Sequence, residues 1–214
     1  KKVSDKLKGI FNTERENFEK YWDDIHMFIK YGMIKDDEFS KKMKDVVLVK
    51  SVSGAFYTLN EYKEKFIGTN QDKNSKMVLL YTSDKNAQAT YLADVTAKGL
   101  DVVILDHMID GHFISLLERT MDDFKFTRID SNTVDKLIEK ENPEEEKVNE
   151  KDREFFETLF RKVLKNDKLN VSIEKMDNKN TSGVIIQSEE QRRMAEMMRM
   201  MNPGAGEGMD IFNA

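Results

Sequence analysis

Two short apolar runs with a helical pattern between them constrain this chain more than any other feature. Lys76-Met77-Val78-Leu79-Leu80-Tyr81 and Asp101-Val102-Val103-Ile104-Leu105 each read as a buried strand. Between them, Thr82, Ser83 and Asp84 offer caps for a helix to about Lys98. Its inner face is Ala87, Tyr91, Leu92 and Val95, at i, i+4, i+5 and i+8, and Gly99 closes it. A strand, a helix and a strand this close fold as a parallel, right-handed crossover. Asp110 then caps a short helix through Leu117, and Lys125 to Ile129 reads as a third strand.

Such a unit invites a nucleotide-binding reading. That chemistry brings backbone N–H groups close to phosphate, which needs glycine in the first turn. Here the turn is Tyr81-Thr82-Ser83-Asp84-Lys85-Asn86, without glycine and with a carboxylate that repels an anion. No GxxxxGK[ST] motif occurs anywhere. At the carboxyl end of the second strand, Asp106, His107, Asp110 and His112 form a polar cluster, where α/β sites usually lie. A Rossmann-like enzyme domain using this cluster is the alternative reading. The cluster has no evident nucleophile, and the simpler reading is a surface loop in which Asp110 caps and His112 sits on an exposed first turn.

Residues 1 to about 48 read as a helical layer. Val3, Leu7, Ile10, Phe11, Phe18, Tyr21, Trp22, Ile25, Phe28 and Ile29 are spaced mostly by three and four. Asn12-Thr13 is a cap site, Gly32 suits the left-handed residue that ends a helix, and Asp36 and Asp37 cap a further helix through Phe39 and Met43. Trp22 and His26 share a face and read as a core aromatic beside a satisfied histidine.

Glu139 to Glu154 holds eight acidic and four basic residues around Asn142-Pro143 and reads as a solvated linker or the start of an exposed helix. Phe155, Phe156, Leu159, Phe160, Val163 and Leu164 then restore helical spacing, in a helix able to bridge the two halves. Leu169 to Ile173 and Val184 to Ile186 flank the turn-rich Asp177 to Gly183 and read as a hairpin. Ser188-Glu189-Glu190-Gln191 is a capping-box pattern before a helix to Met201, stopped by Asn202-Pro203-Gly204. Met194, Met197, Met198 and Met201 fall at i, i+3, i+4 and i+7. Both a core stripe and a partner-binding face fit, since methionine repacks readily against differing apolar shapes.

The whole reads as a mixed α/β (α+β) chain. Its parts are a helical layer (1–48), a small αβα unit on the βαβ crossover (49–130), and a charged connector (131–214) leading into a long helix, a β-hairpin and the Met-rich helix. The weak acidity, net −5 with 40 Asp plus Glu against 35 Lys plus Arg, argues against nucleic acid. No cysteine is present, which removes thiol chemistry and disulfides and fits a reducing cytoplasm. The three histidines have no ligand spacing, so no metal is expected, and no apolar run is long enough for a membrane span. The chain opens on Lys1-Lys2-Val3 and reads as a piece of something longer.

Several segments, in order, resemble the middle domain of the 90-kDa heat-shock chaperones in their bacterial form. They are Phe18-Glu19-Lys20-Tyr21-Trp22, Lys30-Tyr31-Gly32, Thr58-Leu59-Asn60-Glu61-Tyr62, Val78-Leu79-Leu80-Tyr81-Thr82, Lys98-Gly99-Leu100-Asp101-Val102-Val103 and Met108-Ile109-Asp110. The acidic connector and Met-rich helix are similar to the start of that family's C-terminal domain. His112 stands where the family carries an aromatic, and Asp177 to Gly183 lacks its usual Arg-Leu…Pro pattern. The resemblance implies a piece of an ATP-dependent chaperone that remodels partly folded client proteins. It implies ATP with magnesium and homodimerisation for the whole protein, and no cofactor, no catalysis and a monomer for this piece. It also implies client contacts at Met194, Met197, Met198 and Met201, and at His112 and Phe113.

Overall fold

The computed structural model describes residues 2–72, 74–131, 149–165, 171, 192–194 and 198. The chain divides into two compact units, residues 1–129 and 130–214.

The first unit begins with α1 (Lys2–Thr13), α2 (Arg15–Lys20), α3 (Trp22–Lys35) and α4 (Asp37–Met43). The break between α1 and α2 falls at Glu14, and neither Asn12 nor Thr13 caps α2; the Thr13 hydroxyl donates to the Gly9 carbonyl instead. Asp36 caps α4 by accepting from the Phe39 N–H at 2.9 Å. Gly32 does not end a helix. It lies inside α3, where a Cβ would stand 2.9 Å from the Phe39 ring, so its role is close helix packing.

A hairpin absent from the sequence reading follows: β1 (Leu48–Ser51) and β2 (Phe56–Thr58), antiparallel, around Gly54 at φ +91°. Thr58 and Glu61 form a reciprocal capping box that starts α5 (Leu59–Phe66). Then come β3 (Met77–Thr82), α6 (Ala89–Ala97), β4 (Val102–Ile104), α7 (Asp110–Thr120) and β5 (Phe124–Arg128). The sheet order is β2-β1-β4-β3-β5. β3 pairs in parallel with both β4 and β5, and the β1–β2 hairpin joins β4 antiparallel. β3, an interior strand between β4 and β5, is buried at all six positions, as a strand covered on both faces must be. Gly99, at φ +74°, ends α6 as its sequence position implies. The inner face of α6 differs from expectation: Ala87 is exposed and Gln88 is buried.

One apolar cluster joins the helical layer to the sheet, running from Phe18, Trp22 and Met33 through Leu48 and Tyr62 to Leu79, Phe113 and Phe126. In the second unit, α8 (Glu150–Leu164) is capped by Asn149 and ends at Lys165 in the left-handed conformation. Phe155, Phe156, Leu159, Phe160, Val163 and Leu164 are all exposed on it. Both strands of the expected Leu169–Ile186 hairpin lie outside the described residues, save Val171.

Candidate functional site

Parallel strands deliver their most useful groups at their carboxyl ends, where the next turn leaves the sheet. Two such turns matter here.

The turn after β3 occupies the place of a phosphate cradle, and a side chain of the protein already fills it. The Gln88 carboxamide oxygen accepts from the Thr82 hydroxyl at 2.7 Å, the Ser83 N–H at 3.0 Å and the Asp84 N–H at 3.4 Å. Asp84 in turn accepts from the Asn86 and Ala87 N–H groups, both at 2.9 Å. The donors that would greet an anion are satisfied internally, and a carboxylate, Asp84, belongs to the same turn. In this geometry the Thr82, Ser83 and Asp84 donors of the turn are engaged by Gln88.

The turn after β4 carries the Asp106 to His112 cluster. Asp106 and His107 are exposed, with Nε2 and Oδ1 3.6 Å apart. Asp110 is not a surface cap. It is 2 % exposed at the start of α7, where the helix dipole favours an anion. Its Oδ1 accepts from the Lys30 ammonium at 2.5 Å and its Oδ2 from the His107 N–H at 3.1 Å. Lys30 is itself 3 % exposed and stands 5.4 Å over the Phe113 ring. Removing one member of such a pair strands the other charge, at a typical cost of about 3–5 kcal/mol. Both carboxylate oxygens of Asp110 are thus engaged within the protein.

His26 packs beside this pair. Its ring lies 4.7 Å from that of His107 and 6.1 Å from Trp22. It is buried, as expected, but not satisfied, because Nδ1 has no hydrogen-bond partner. Burial first, then the Lys30 ammonium and His107, lower its pKa to about 4, so the ring is neutral at pH 7.

The proposed contact residues fare differently. His112 is exposed on the first turn of α7. Phe113 is fully buried in the core, at 0 % exposure, and has no surface to offer a partner; the helical period turns it inward where its neighbour turns outward. Met194 and Met198 are exposed, at 55 % and 52 %. Met197 and Met201 lie outside the described residues. The sequence reading missed Met108, which projects from the second turn with 78 % of its surface exposed. An isolated methionine in a polar loop carries no periodic signal. Elsewhere, a groove of about 600 Å³ is lined by Arg15, Glu19, Phe56, Tyr57 and Glu61 among others. Its Arg15 is already held by Glu19 at 2.6 Å and Glu61 at 2.8 Å. Among the described residues, no group of acidic or histidine side chains could hold a metal ion, and no helix is long and apolar enough to cross a membrane.

Comparison with known proteins bears on what this surface serves. Residues 1–211 match the family model described as Hsp90 protein. The chain is 35% identical to Chaperone protein HtpG of Porphyromonas gingivalis over 219 residues, an alignment covering 100% of this chain and 32% of that protein. It is 34% identical over 218 residues to Chaperone protein HtpG of Bacteroides thetaiotaomicron, with the same two coverages. The chain thus spans about a third of the length of the curated relatives it matches. Among solved structures, the middle domain of a Plasmodium falciparum protein classed as a heat shock protein overlays 61% of this chain and 55% of that one. The identity is 18% and the TM-score 0.46, too low for that overlay to carry an argument.

Proposed function

Since the chain belongs to the Hsp90 protein family, we propose that it is a section of an ATP-dependent chaperone and supplies part of the surface that holds partly folded client proteins. The observation that carries this reading is the family match along essentially the whole chain, beside a sheet edge whose anion-binding donors are internally filled. ATP and magnesium then belong to the whole protein and not to residues 2–131. In this reading the section neither hydrolyses ATP nor dimerises by itself, the whole protein works as a cytoplasmic homodimer, and neither nucleic acid nor membrane is a partner.

We assign contact roles in each unit separately: in the second unit to Met194 and Met198, with Met197 and Met201 beside them in the sequence, and in the first unit to the turn that exposes Met108 and His112. Flexible thioethers adapt to many apolar shapes, which suits a partner without fixed sequence. Each methionine buried against a client contributes roughly 1.5–3 kcal/mol before entropic losses, enough for weak and reversible holding. The test is Met194→Ser with Met198→Ser in the 214-residue chain. Binding of a permanently unfolded, reduced and carboxymethylated model protein is read by fluorescence anisotropy. The expected result is weaker binding at unchanged melting temperature. A large loss of melting temperature would make these residues core, and unchanged binding would remove them from the contact surface.

A further inference from the structure

We propose that Lys30 is the positioning residue of the 106–112 turn: its buried ion pair with Asp110 fastens that turn to α3 and sets how Met108 and His112 are presented. The fastening rests on geometry; only what the turn meets rests on the client reading above.

A turn of five residues between β4 and α7, continued into the first turn of α7, has few ways to hold its shape. Here both oxygens of one carboxylate are used. Asp110 Oδ1 takes the Lys30 ammonium, which arrives from a helix eighty residues earlier in the chain. Asp110 Oδ2 takes the N–H of His107, across Met108 and Ile109. The carboxylate is therefore a joint between the helical layer and the turn. Both side chains are almost fully withdrawn from water, at 4% and 3% exposure, so solvent offers neither a substitute partner. The ring contact of His26 with His107 adds a second link from the same helix. The outer side of the turn is left open: Asp106, His107, Met108, Gly111 and His112 are all exposed. A joint that is charged and buried on one side, with a free apolar tip on the other, holds a contact residue at a fixed angle without covering it.

The test compares the 214-residue parent with Lys30→Met, Lys30→Arg and Asp110→Asn. Three readings are taken: exchange of the His107 amide proton, melting temperature, and binding of the same unfolded model protein. Lys30→Met is expected to speed His107 amide exchange by about tenfold or more while the amides of β3 stay protected. Lys30→Arg, which keeps the cation, is expected to restore much of that protection. Should Lys30→Met fail to fold, Asp110→Asn, nearly identical in shape, serves the same reading. In the unmodified chain, a slowly exchanging Lys30 ammonium signal at neutral pH is expected by nitrogen-15 NMR, and its absence overturns the proposal. Unchanged His107 protection in both Lys30→Met and Asp110→Asn also overturns it. If the amide is released but binding is unaltered, the positioning role stands and the client reading of this turn fails.

Discussion

The turns that leave β3 and β4 stand at the carboxyl ends of two parallel neighbours in one mixed sheet, and they are closed by opposite means. The first is closed by a neutral carboxamide from its own next helix: Gln88 gathers the Thr82, Ser83 and Asp84 donors. The second is closed by an ion pair from another layer, Lys30 to Asp110. A local, neutral closure satisfies the backbone and leaves no donor for a ligand. A remote, charged closure fixes the turn from beneath and leaves its outer residues available. In this protein the edge where an α/β fold commonly places its chemistry is therefore divided into a sealed half and a presenting half.

Acid separates the two turns most strongly. His26 has a pKa lowered to about 4, below its ordinary value of 6.5. The unfolded chain therefore binds a proton between those values that the folded chain refuses, so stability falls as pH drops from about 6.5 to 4. The groups facing the ring are Lys30 and His107, which oppose its charging, and Asp110 and Asp23, which favour it. The loss attributable to this ring is up to ~3 kcal/mol. Melting curves of the parent and of His26→Gln at pH 7 and pH 4 measure it as a difference, since carboxylates titrate in both. The parent should lose more, and Trp22, the only tryptophan, should report the change in its fluorescence. Equal losses would mean that the second turn is indifferent to charge beside its anchor.

A smaller effect is expected at the sealed turn. Gln88→Ala leaves the Thr82, Ser83 and Asp84 donors without their acceptor, two of them partly screened by solvent, at a cost of about 1–3 kcal/mol. Urea unfolding gives the value. A sharper form of the test adds inorganic phosphate to the Gln88→Ala variant. Stabilisation by phosphate would show that the cradle was merely occupied. No stabilisation would show that Asp84 excludes the anion even when the donors are free.

How much of this was legible follows the range of each interaction. The crossover was readable because β3, α6 and β4 are consecutive and each carries its own period. The Asp36 cap was readable because it depends on residues within three positions, and Gly99 because its φ demand is local. The β1–β2 hairpin was not, since Leu48–Ser51 and Phe56–Thr58 are short and include Lys50, which is held by Asp23. Nor was Gly32, whose purpose is space for Phe39 and not a turn. The closure by Gln88 was hidden because glutamine in a helical stretch looks like surface. The Lys30–Asp110 anchor was hidden more deeply: pairing across eighty residues leaves no spacing to see, and a lysine between Ile29 and Tyr31 reads as solvated. Among the contact candidates, His112 and Phe113 are neighbours in sequence, and only the phase of α7 separates the exposed one from the buried one.

The smallest expected effect on stability is the one that tells most about the presenting half. Met108 and His112 are exposed, and no hydrogen bond to either side chain contributes to the joint at Asp110. Met108→Ser with His112→Ser should therefore change unfolding free energy by no more than about 0.5 kcal/mol, the usual range for surface positions. The same pair should weaken capture of the unfolded model protein by several-fold, on the order of 1 kcal/mol, because a thioether and an imidazole face are exchanged for two small hydroxyls. The matching substitution on the sealed side, Lys85→Ser with Asn86→Ser, also falls on exposed residues and should leave both quantities unchanged. Loss of binding from the β4 turn alone would assign presentation to the charged closure. Equal loss from both turns would reduce the difference between them to a matter of packing. A large loss of stability from Met108→Ser with His112→Ser would mean that the tip of the turn supports its own anchor, and that the angle of the turn is set from above as well as from Lys30 below.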